Sequence, residues 1–472
     1  MMQGKSTGTF LGRSDRTREG EIVGKIINDL SRKDQEALKP YLLTVLCHGD
    51  VMTSSGDGDK TRVPAETGFN LRAEAAYGNT QSRRRSARLQ SKSKKKPEES
   101  NTPAQESTMK IPISYAQKTH YHIVFQEVGT PLTAVESMSD AFHALRHVAA
   151  ALAFLHKAGW VHRDVGAHNI LWVGSARIGK LADLEYAKKG DDNTHHTVQT
   201  ATHFFMAGEV RNRDYHYLDV LQTWEPPHFS AVDHPSQRSG ESYYDQLREY
   251  RLSGKPTAER TTKNPQPFRC NPLHDVESVW WVALDLLFYR GMQGDDRSLH
   301  DRRVQQGIAA FIFEDMAEHG LTFHSGERLY RHVSHLHSSV LSAGVALEYI
   351  RKGLQDAYKQ VEKLGPDGVV AIEPATLELL WTSVRQHLGT IVSLSDSLFL
   401  NEHQHLQLPS GTLDEYLRGM AARKLAEAAG ENNITSGPTA GNSTTASIAN
   451  HLGERLNVTN DPPSRPAKRA RK

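Results

Sequence analysis

Apolar residues recur at helical spacing from Phe142 through Leu145, Ala149 and Leu152 to Leu155, so Ser139 to Lys157 is predicted to be an amphipathic helix. The run Ser137-Met138-Ser139-Asp140 offers N-caps, and Lys157-Ala158-Gly159 offers a basic last turn with a glycine stop. Ile22, Ile26, Ile27 and Leu30, following Glu21, trace a second helical stripe that ends near Ser31. Tyr41 to Cys47 reads as a β-type run leading into a His48-Gly49-Asp50 turn. Tyr121 to Val128 reads as a strand closed by Gly129-Thr130-Pro131. Beyond residue 275 the periodicity is helical: Val276 to Tyr289, Val304 to Met316, Leu329 to Lys363 with a break, and Pro374 to Leu388. Strands early and helices late predict an α+β chain, a small mixed lobe followed by a larger helical one.

Between these segments the pattern lapses. Gly56 to Lys110 is rich in Ser, Gly, Lys, Arg and Glu and is expected to be a disordered basic insertion; residues 428–472 are expected to be a disordered basic tail. Pro235 to Pro267 reads as a long loop, and no repeat of 20–50 residues is present. The expected organisation is a partial small lobe over 1–55, the insertion over 56–110, a further strand and connection over 111–132, and the helical body over 133–427.

Composition narrows the classes. The chain has 472 residues, 38% of them hydrophobic and 24% charged, which suits a globular core diluted by polar segments. Its two cysteines, Cys47 and Cys270, exclude a disulfide scaffold or a four-cysteine zinc site; they are expected to be buried or inert thiols in a reducing, intracellular setting. Met1 to Gly20 holds no apolar run of a secretory signal, and the most apolar stretch, Val279 to Tyr289, contains Asp285 and is too short to cross a bilayer. Membrane and secreted classes are therefore not expected. Thirteen of the 57 basic residues lie in Arg83 to Lys96 and Arg465 to Lys472, so the remaining 44 face 55 acidic ones. An acidic body gives no electrostatic reason to bind nucleic acid. The two ribbons instead have the form of nuclear-import signals, with an import receptor as the expected partner.

The candidate chemistry follows the best-defined helix. Trp160-Val161-His162-Arg163-Asp164-Val165-Gly166-Ala167-His168-Asn169 is followed, after an apolar strand, by Leu181-Ala182-Asp183-Leu184-Glu185. An Asp, an Asn five residues later and an Asp fourteen beyond that suit phosphoryl transfer. One carboxylate takes or orients the hydroxyl proton of the acceptor; the amide and the second carboxylate hold Mg2+ against nucleotide phosphates, because a hard cation needs oxygen ligands. His332, His335 and His337 lack a partner fixed by spacing and are expected on a helix surface rather than on a metal.

These residues resemble the protein-kinase superfamily, and more specifically the fungal-type protein kinase family, whose catalytic loops read close to His-Arg-Asp-Ile-Ser-x-x-Asn. Tyr121 to Gly129 looks like the strand and hinge that hold adenine, with Glu127 and Val128 as the hinge residues. Thr200 to Glu209 resembles the end of an activation segment, with Thr197, Thr200 and Thr202 nearby as solvent-facing threonines. His274-Asp275-Val276-Glu277-Ser278-Val279-Trp280-Trp281 is similar to the family's His-Asp-x-Glu-Ser-x-x-Trp helix. The resemblance covers roughly residues 15–290 less the insertion. It implies a bilobal kinase-like fold with a reduced N-terminal β lobe, ATP and Mg2+ as cofactors, and a protein Ser/Thr substrate. It also implies roles: Asp164 as base, His162 and Arg163 as loop supports, Asn169 and Asp183 as metal ligands, Asp275 as a brace on the loop. Glu21 looks like the glutamate that pairs with the nucleotide-holding lysine, with Glu19 as its rival.

The sequence also departs from that pattern. Asp183-Leu184-Glu185 replaces Asp-Phe-Gly, which removes a glycine's easy access to positive φ, and Gly166 stands where such kinases have lysine or serine. No Gly-x-Gly-x-x-Gly loop or Val-Ala-x-Lys strand precedes Glu21; Lys5 is the only lysine before it, and its neighbours do not read as a strand. Two other readings stay open: a small-molecule phosphotransferase of the aminoglycoside or choline kinase type, and a pseudokinase scaffold.

Overall fold

The computed structural model describes residues 6–13, 17–64, 115–190, 204–213, 215–217, 268–361, 370, 372–402 and 406–432. The tracts Arg83 to Lys96 and Arg465 to Lys472, the loop Pro235 to Pro267, Lys5 and the threonines 197, 200 and 202 lie outside them. The fold is α+β, and no described helix is long and apolar enough to cross a membrane.

Strand β4 (Tyr115–Phe125) is the hub of an antiparallel sheet. Strand β1 (Ser6–Arg13) pairs along one edge, from Ser6 opposite Phe125 to Arg13 opposite Lys118. The other edge is shared by β2 (Val45–Asp50) and β3 (Lys60–Pro64). Three expectations change here. Ser6 to Arg13 is a strand after all, because the long β4 supplies its hydrogen bonds where its own polar, glycine-bearing sequence gives no alternation. His48-Gly49-Asp50 is not a turn but the end of β2, paired with Tyr121 to Ile123. Lys60–Pro64, within the expected disordered insertion, is a strand on the same edge. Beneath this sheet Leu43, Tyr121, Ile123 and Phe125 pack with Leu171 and Ala182, so its core abuts the chain on either side of the candidate site.

Helix α1 (Glu19–Asn28) is fastened to the sheet at its start. The Gly20 N–H donates to the Tyr121 hydroxyl at 3.0 Å, and Arg18 pairs with Asp50 at 2.6 Å. A Cβ at Gly20 would meet the exposed His48 ring at 2.3 Å, so that side chain would have to move aside. Helix α2 (Arg32–Leu38) follows, capped by the Ser31 hydroxyl, which accepts the Asp34 N–H.

Helix α3 (Met138–Lys157) matches its pattern, with the Ser137 hydroxyl accepting from Asp140 N–H and Phe142, Leu145, Ala149, Leu152 and Leu155 all buried. β5 (Thr130–Pro131) precedes it, and β6 (Trp160–Val161), β7 (Ile170–Val173), β8 (Ile178–Leu181) and β9 (Lys188–Lys189) follow it. β5, β7 and β8 form one small sheet and β6 pairs β9. β8 lies so close on α3 that a Cβ at Gly179 would stand 2.4 Å from Ala144 Cα.

Helix α4 (Gly208–Asn212) is short. Helix α5 (Pro272–Phe288) opens with a capping box between Asn271 and His274 and is buried on every side, as an all-round apolar helix must be. Around it lie α6 (Leu299–Glu314), α7 (Met316–His324), α8 (Gly326–Val333), α9 (Leu341–Val361) and α10 (Pro374–Leu394). Asp29 and Asp34 of the first helices reach Trp160 and Lys157, which ties the early elements to the helical ones. Helix α11 (Leu413–Asn432) runs past residue 427, where the body was expected to end. Residues up to Tyr416 form one compact unit, and Leu417 begins a second.

Cys47 is a free thiol exposed on β2. One minor expectation fails. His332 is not a helix-surface residue: it is 1% exposed, and its Nε2 meets Glu318 at 2.8 Å beside the Arg328 guanidinium.

Candidate active site

The loop between β6 and β7 is held from below by one buried carboxylate. Asp275 Oδ2 accepts the His162 backbone N–H at 2.8 Å, and Oδ1 accepts the Arg163 N–H at 2.9 Å. His156 Nε2 reaches the same Oδ2 at 2.8 Å. Burial opposes the charge, but these bonds outweigh it and hold the Asp275 carboxyl below its ordinary range. Arg163 sits at φ 72°, a left-handed conformation costly for a side-chain-bearing residue; its bond to Asp275 is what maintains it.

The loop then clasps the strand end that carries Asp183. His162 Nδ1 accepts the Asp164 N–H at 3.3 Å, so its Nε2 bears the proton and donates to the Ala182 carbonyl at 3.2 Å. Complete burial keeps this imidazole neutral by pulling its pKa down. From the other side, the Asn169 carbonyl accepts the Ala182 N–H at 2.9 Å. Both polar groups of Ala182 are thus committed to the loop, one residue before Asp183. The Asn169 NH2 group donates to the Asp164 carbonyl at 2.9 Å, which orients the amide and leaves its oxygen as the atom for a ligand.

Asp183 sits at φ 58°, whereas Glu185, which stands where the pattern has glycine, does not take a positive φ. The following N–H, that of Leu184, donates to Glu19 Oε1 at 3.1 Å. Glu19 is 8% exposed, and Glu21 is exposed. Two residues turn a helix by about 200°, so Glu21, anchored on the same helix, faces away; the residue that looks onto the site is Glu19. Among the described residues no cation is paired with Glu19, and burial raises its pKa, with Glu185 adding to the effect.

The acids here repel one another. Asp164 is pushed up to about 6, first by burial and then by the charges of Glu185 and Asp275. Asp183 is pushed up to about 8, first by burial and then by Glu185, Glu19 and Asp164. A hard divalent cation fits the carboxylate of Asp183 and the amide oxygen of Asn169, and it would relieve the surplus negative charge of the neighbouring acids. The residues that would hold it are Asp183 and Asn169.

The expected hinge is built differently from its surroundings. The Glu127 carboxylate accepts from the Thr44 N–H and hydroxyl, both at 2.8 Å, and pairs with Lys180 Nζ at 3.0 Å. Lys180 also donates to the Leu42 carbonyl at 2.7 Å. The Glu127 side chain is therefore spent on fixing the connection, so only its backbone is left to meet a ligand; Val128 is exposed beside it. Because Lys180 is three residues before Asp183, the same ion pair sets the hinge against the strand that carries the candidate metal ligand.

On the far side of the loop, Gly208 N–H donates to Glu277 Oε1 at 2.8 Å, and Glu209 Oε2 meets His274 Nε2 at 3.0 Å. Tyr358 and Trp281 complete the Glu277 shell. These buried bonds lock the segment Met206 to Glu209 onto the start of α5. The sequence of the fungal protein kinase family matches residues 4–287, more than half of the chain. The chain belongs to that family.

Within this member of the fungal protein kinase family, a shorter stretch resembles other kinases. Over 73 residues it is 33% identical to Serine/threonine-protein kinase ICK of Rattus norvegicus, and equally to that of Mus musculus. The stretch is 16% of this chain and spans 11% of the length of those relatives. The family match supports kinase-like function. The sequence held Glu19 only as the rival of Glu21 and Glu127 only as a hinge residue; Lys180 was not singled out at all, and the family match begins at residue 4, ahead of β1.

Proposed function

We propose that this chain is a bilobal protein kinase that transfers the γ-phosphate of ATP to Ser or Thr hydroxyls of a protein substrate. The observation that supports the reading is the double clasp on Ala182, which ties the residue before Asp183 to the loop that carries Asp164 and Asn169. Asp164 orients the acceptor hydroxyl and takes its proton as the new P–O bond forms and the bond to ADP breaks. With its pKa at about 6, it is ionised at neutral pH and basic enough to accept. Asp183 and Asn169 hold Mg2+, which when bound neutralises charge on the phosphates. The backbone at Glu127 and Val128 receives the adenine. His162, Arg163 and Asp275 keep the loop in register.

A second reading, a binding scaffold without phosphotransfer, is favoured by Glu19, whose carboxylate is engaged by Leu184 N–H. Incubation with radiolabelled ATP and Mg2+ separates the readings. Label on Ser or Thr of mixed protein substrates supports the kinase. Label on an aminoglycoside or choline instead makes it a small-molecule phosphotransferase, and no label with retained nucleotide binding makes it a scaffold. Nuclear import through Arg83 to Lys96 and Arg465 to Lys472 is proposed likewise; an unchanged distribution of a tagged chain lacking both tracts would refute it.

A further inference from the structure

Helix α10 lies wholly beyond the family-matched stretch, yet one of its side chains reaches the brace of the catalytic loop. Trp381 is 1% exposed, and its indole N–H donates to His156 Nδ1 at 2.9 Å. An indole nitrogen only donates, so Nδ1 must be the unprotonated nitrogen of the imidazole. The ring proton is then on Nε2, where it donates to Asp275 Oδ2. That oxygen also holds the His162 N–H, and its twin holds the Arg163 N–H.

From this chain of bonds we infer that Trp381 is a positioning residue for the catalytic loop, acting through the tautomer of His156. The inference rests on the kinase reading for its catalytic consequence and on geometry alone for the coupling. Without the indole N–H, the imidazole is free to move its proton to Nδ1. That would turn a lone pair toward the Asp275 carboxylate and weaken the acceptor shared by the loop amides. Alternatively it takes up a second proton, and the neutral donor becomes an ion-pair partner competing for the same oxygen. Either change reaches His162 and Arg163 without touching nucleotide contacts.

The α10 segment is well placed to hold such a residue rigidly. The chain after it is stitched to the start of α3 by Met138 N–H to the Leu398 carbonyl at 3.0 Å and Leu400 N–H to the Glu136 carbonyl at 2.7 Å. Arg290 at the end of α5 donates to the carbonyls of Asn401, Leu132 and Val135. The helix is thus fastened to both elements that carry the relay, α3 with His156 and α5 with Asp275.

Trp381→Phe keeps the ring and deletes the donor. In the full chain labelled with 15N, the wild type is expected to show His156 as the Nε2–H tautomer, and Trp381→Phe a mixed or doubly protonated ring. Hydrogen exchange at the His162 and Arg163 amides should accelerate by about five- to ten-fold, the loss of roughly one hydrogen bond, while mid-α3 amides stay protected. Turnover should fall by a similar factor, with KM for ATP within about two-fold. In a His156→Gln background, where Gln donates to Asp275 without needing the indole, adding Trp381→Phe should cost less than about two-fold in exchange and turnover. Unchanged tautomer and exchange in Trp381→Phe, or equal losses in both backgrounds, would overturn the inference. Should Trp381→Phe fail to fold, the wild-type tautomer decides: Nδ1–H excludes the relay. Tautomer and exchange respond even if the chain transfers no phosphate, so a failed kinase reading is seen separately.

Discussion

Replacing Asp275 by Asn tests the brace on the loop with a change of almost no volume. The carboxylate accepts three donors, from His162 N–H, Arg163 N–H and His156 Nε2–H, at 2.8, 2.9 and 2.8 Å. An amide can accept at one end only. With its oxygen toward His162 and His156, its NH2 group faces the Arg163 N–H and leaves that donor without a partner. The reverse orientation orphans two donors, and His156 cannot adapt by accepting, because Trp381 holds its Nδ1. The first orientation therefore wins. It costs about 1–3 kcal/mol for one orphaned donor and about 0.5–1.5 kcal/mol for each of two bonds that lose a charged acceptor. Burying a neutral group instead of an ion offsets part of this, leaving about 3 kcal/mol. The expected result is melting lowered by roughly 5–10 °C at pH 7, read by circular dichroism. The pH dependence has a definite sign. The folded pKa of Asp275 lies below its ordinary value, so its contribution is present above about pH 4 and is lost as pH falls through the folded value. The gap between wild type and Asp275→Asn should narrow below about pH 4. A cost under about 1 kcal/mol at pH 7, or a gap that widens in acid, would refute the reasoning.

Three further outcomes follow from the same structure. Asp183 has a folded pKa of about 8, above its ordinary value, so its ionisation opposes folding increasingly as pH rises toward that value. Metal-free Asp183→Asn should therefore melt higher than wild type at pH 8 and level with it near pH 4, whereas Mg2+ with ATP should stabilise the wild type alone. Glu19→Ala strips the Leu184 N–H of its acceptor and should cost about 1–3 kcal/mol in urea unfolding, while Glu21→Ala should stay within about 0.5 kcal/mol. Gly179→Ala forces a Cβ to 2.4 Å from Ala144 Cα and 2.6 Å from its carbonyl oxygen; backbone cannot yield as a side chain can, so the loss should reach about 3 kcal/mol or prevent folding. Equal behaviour of Glu19→Ala and Glu21→Ala, or a tolerated Gly179→Ala, would count against the packing described.

What could be read in advance was what local chemistry controls. Helix α3 declared itself through its stripe, its Ser137 cap and its Gly159 stop, and α5 through an apolar stretch that from Val279 onward only Asp285 interrupts. The Asp164, Asn169 and Asp183 set was legible because the loop and the β7–β8 hairpin are close in sequence. Contacts across the chain were not. Ser6–Arg13 is a strand only because β4 pairs with it, and nothing in Ser6-Thr7-Gly8-Thr9 alternates. Glu19 differs from Glu21 through one bond to a residue 165 positions away. Lys180 has its part only because the fold sets Glu127 beside it. The part of Trp381 depends on the fold bringing residue 381 to residue 156.

The central claim is that one constellation carries phosphoryl transfer, and single-turnover transfer from radiolabelled ATP tests it most directly. Wild type, Asp164→Asn and Asp183→Asn are compared at pH 7.5 with Mg2+, with circular dichroism verifying that each is folded. Both variants should fold, and both should lose transfer by orders of magnitude, about 100-fold or more. Wild-type rates in either folded variant would contradict it.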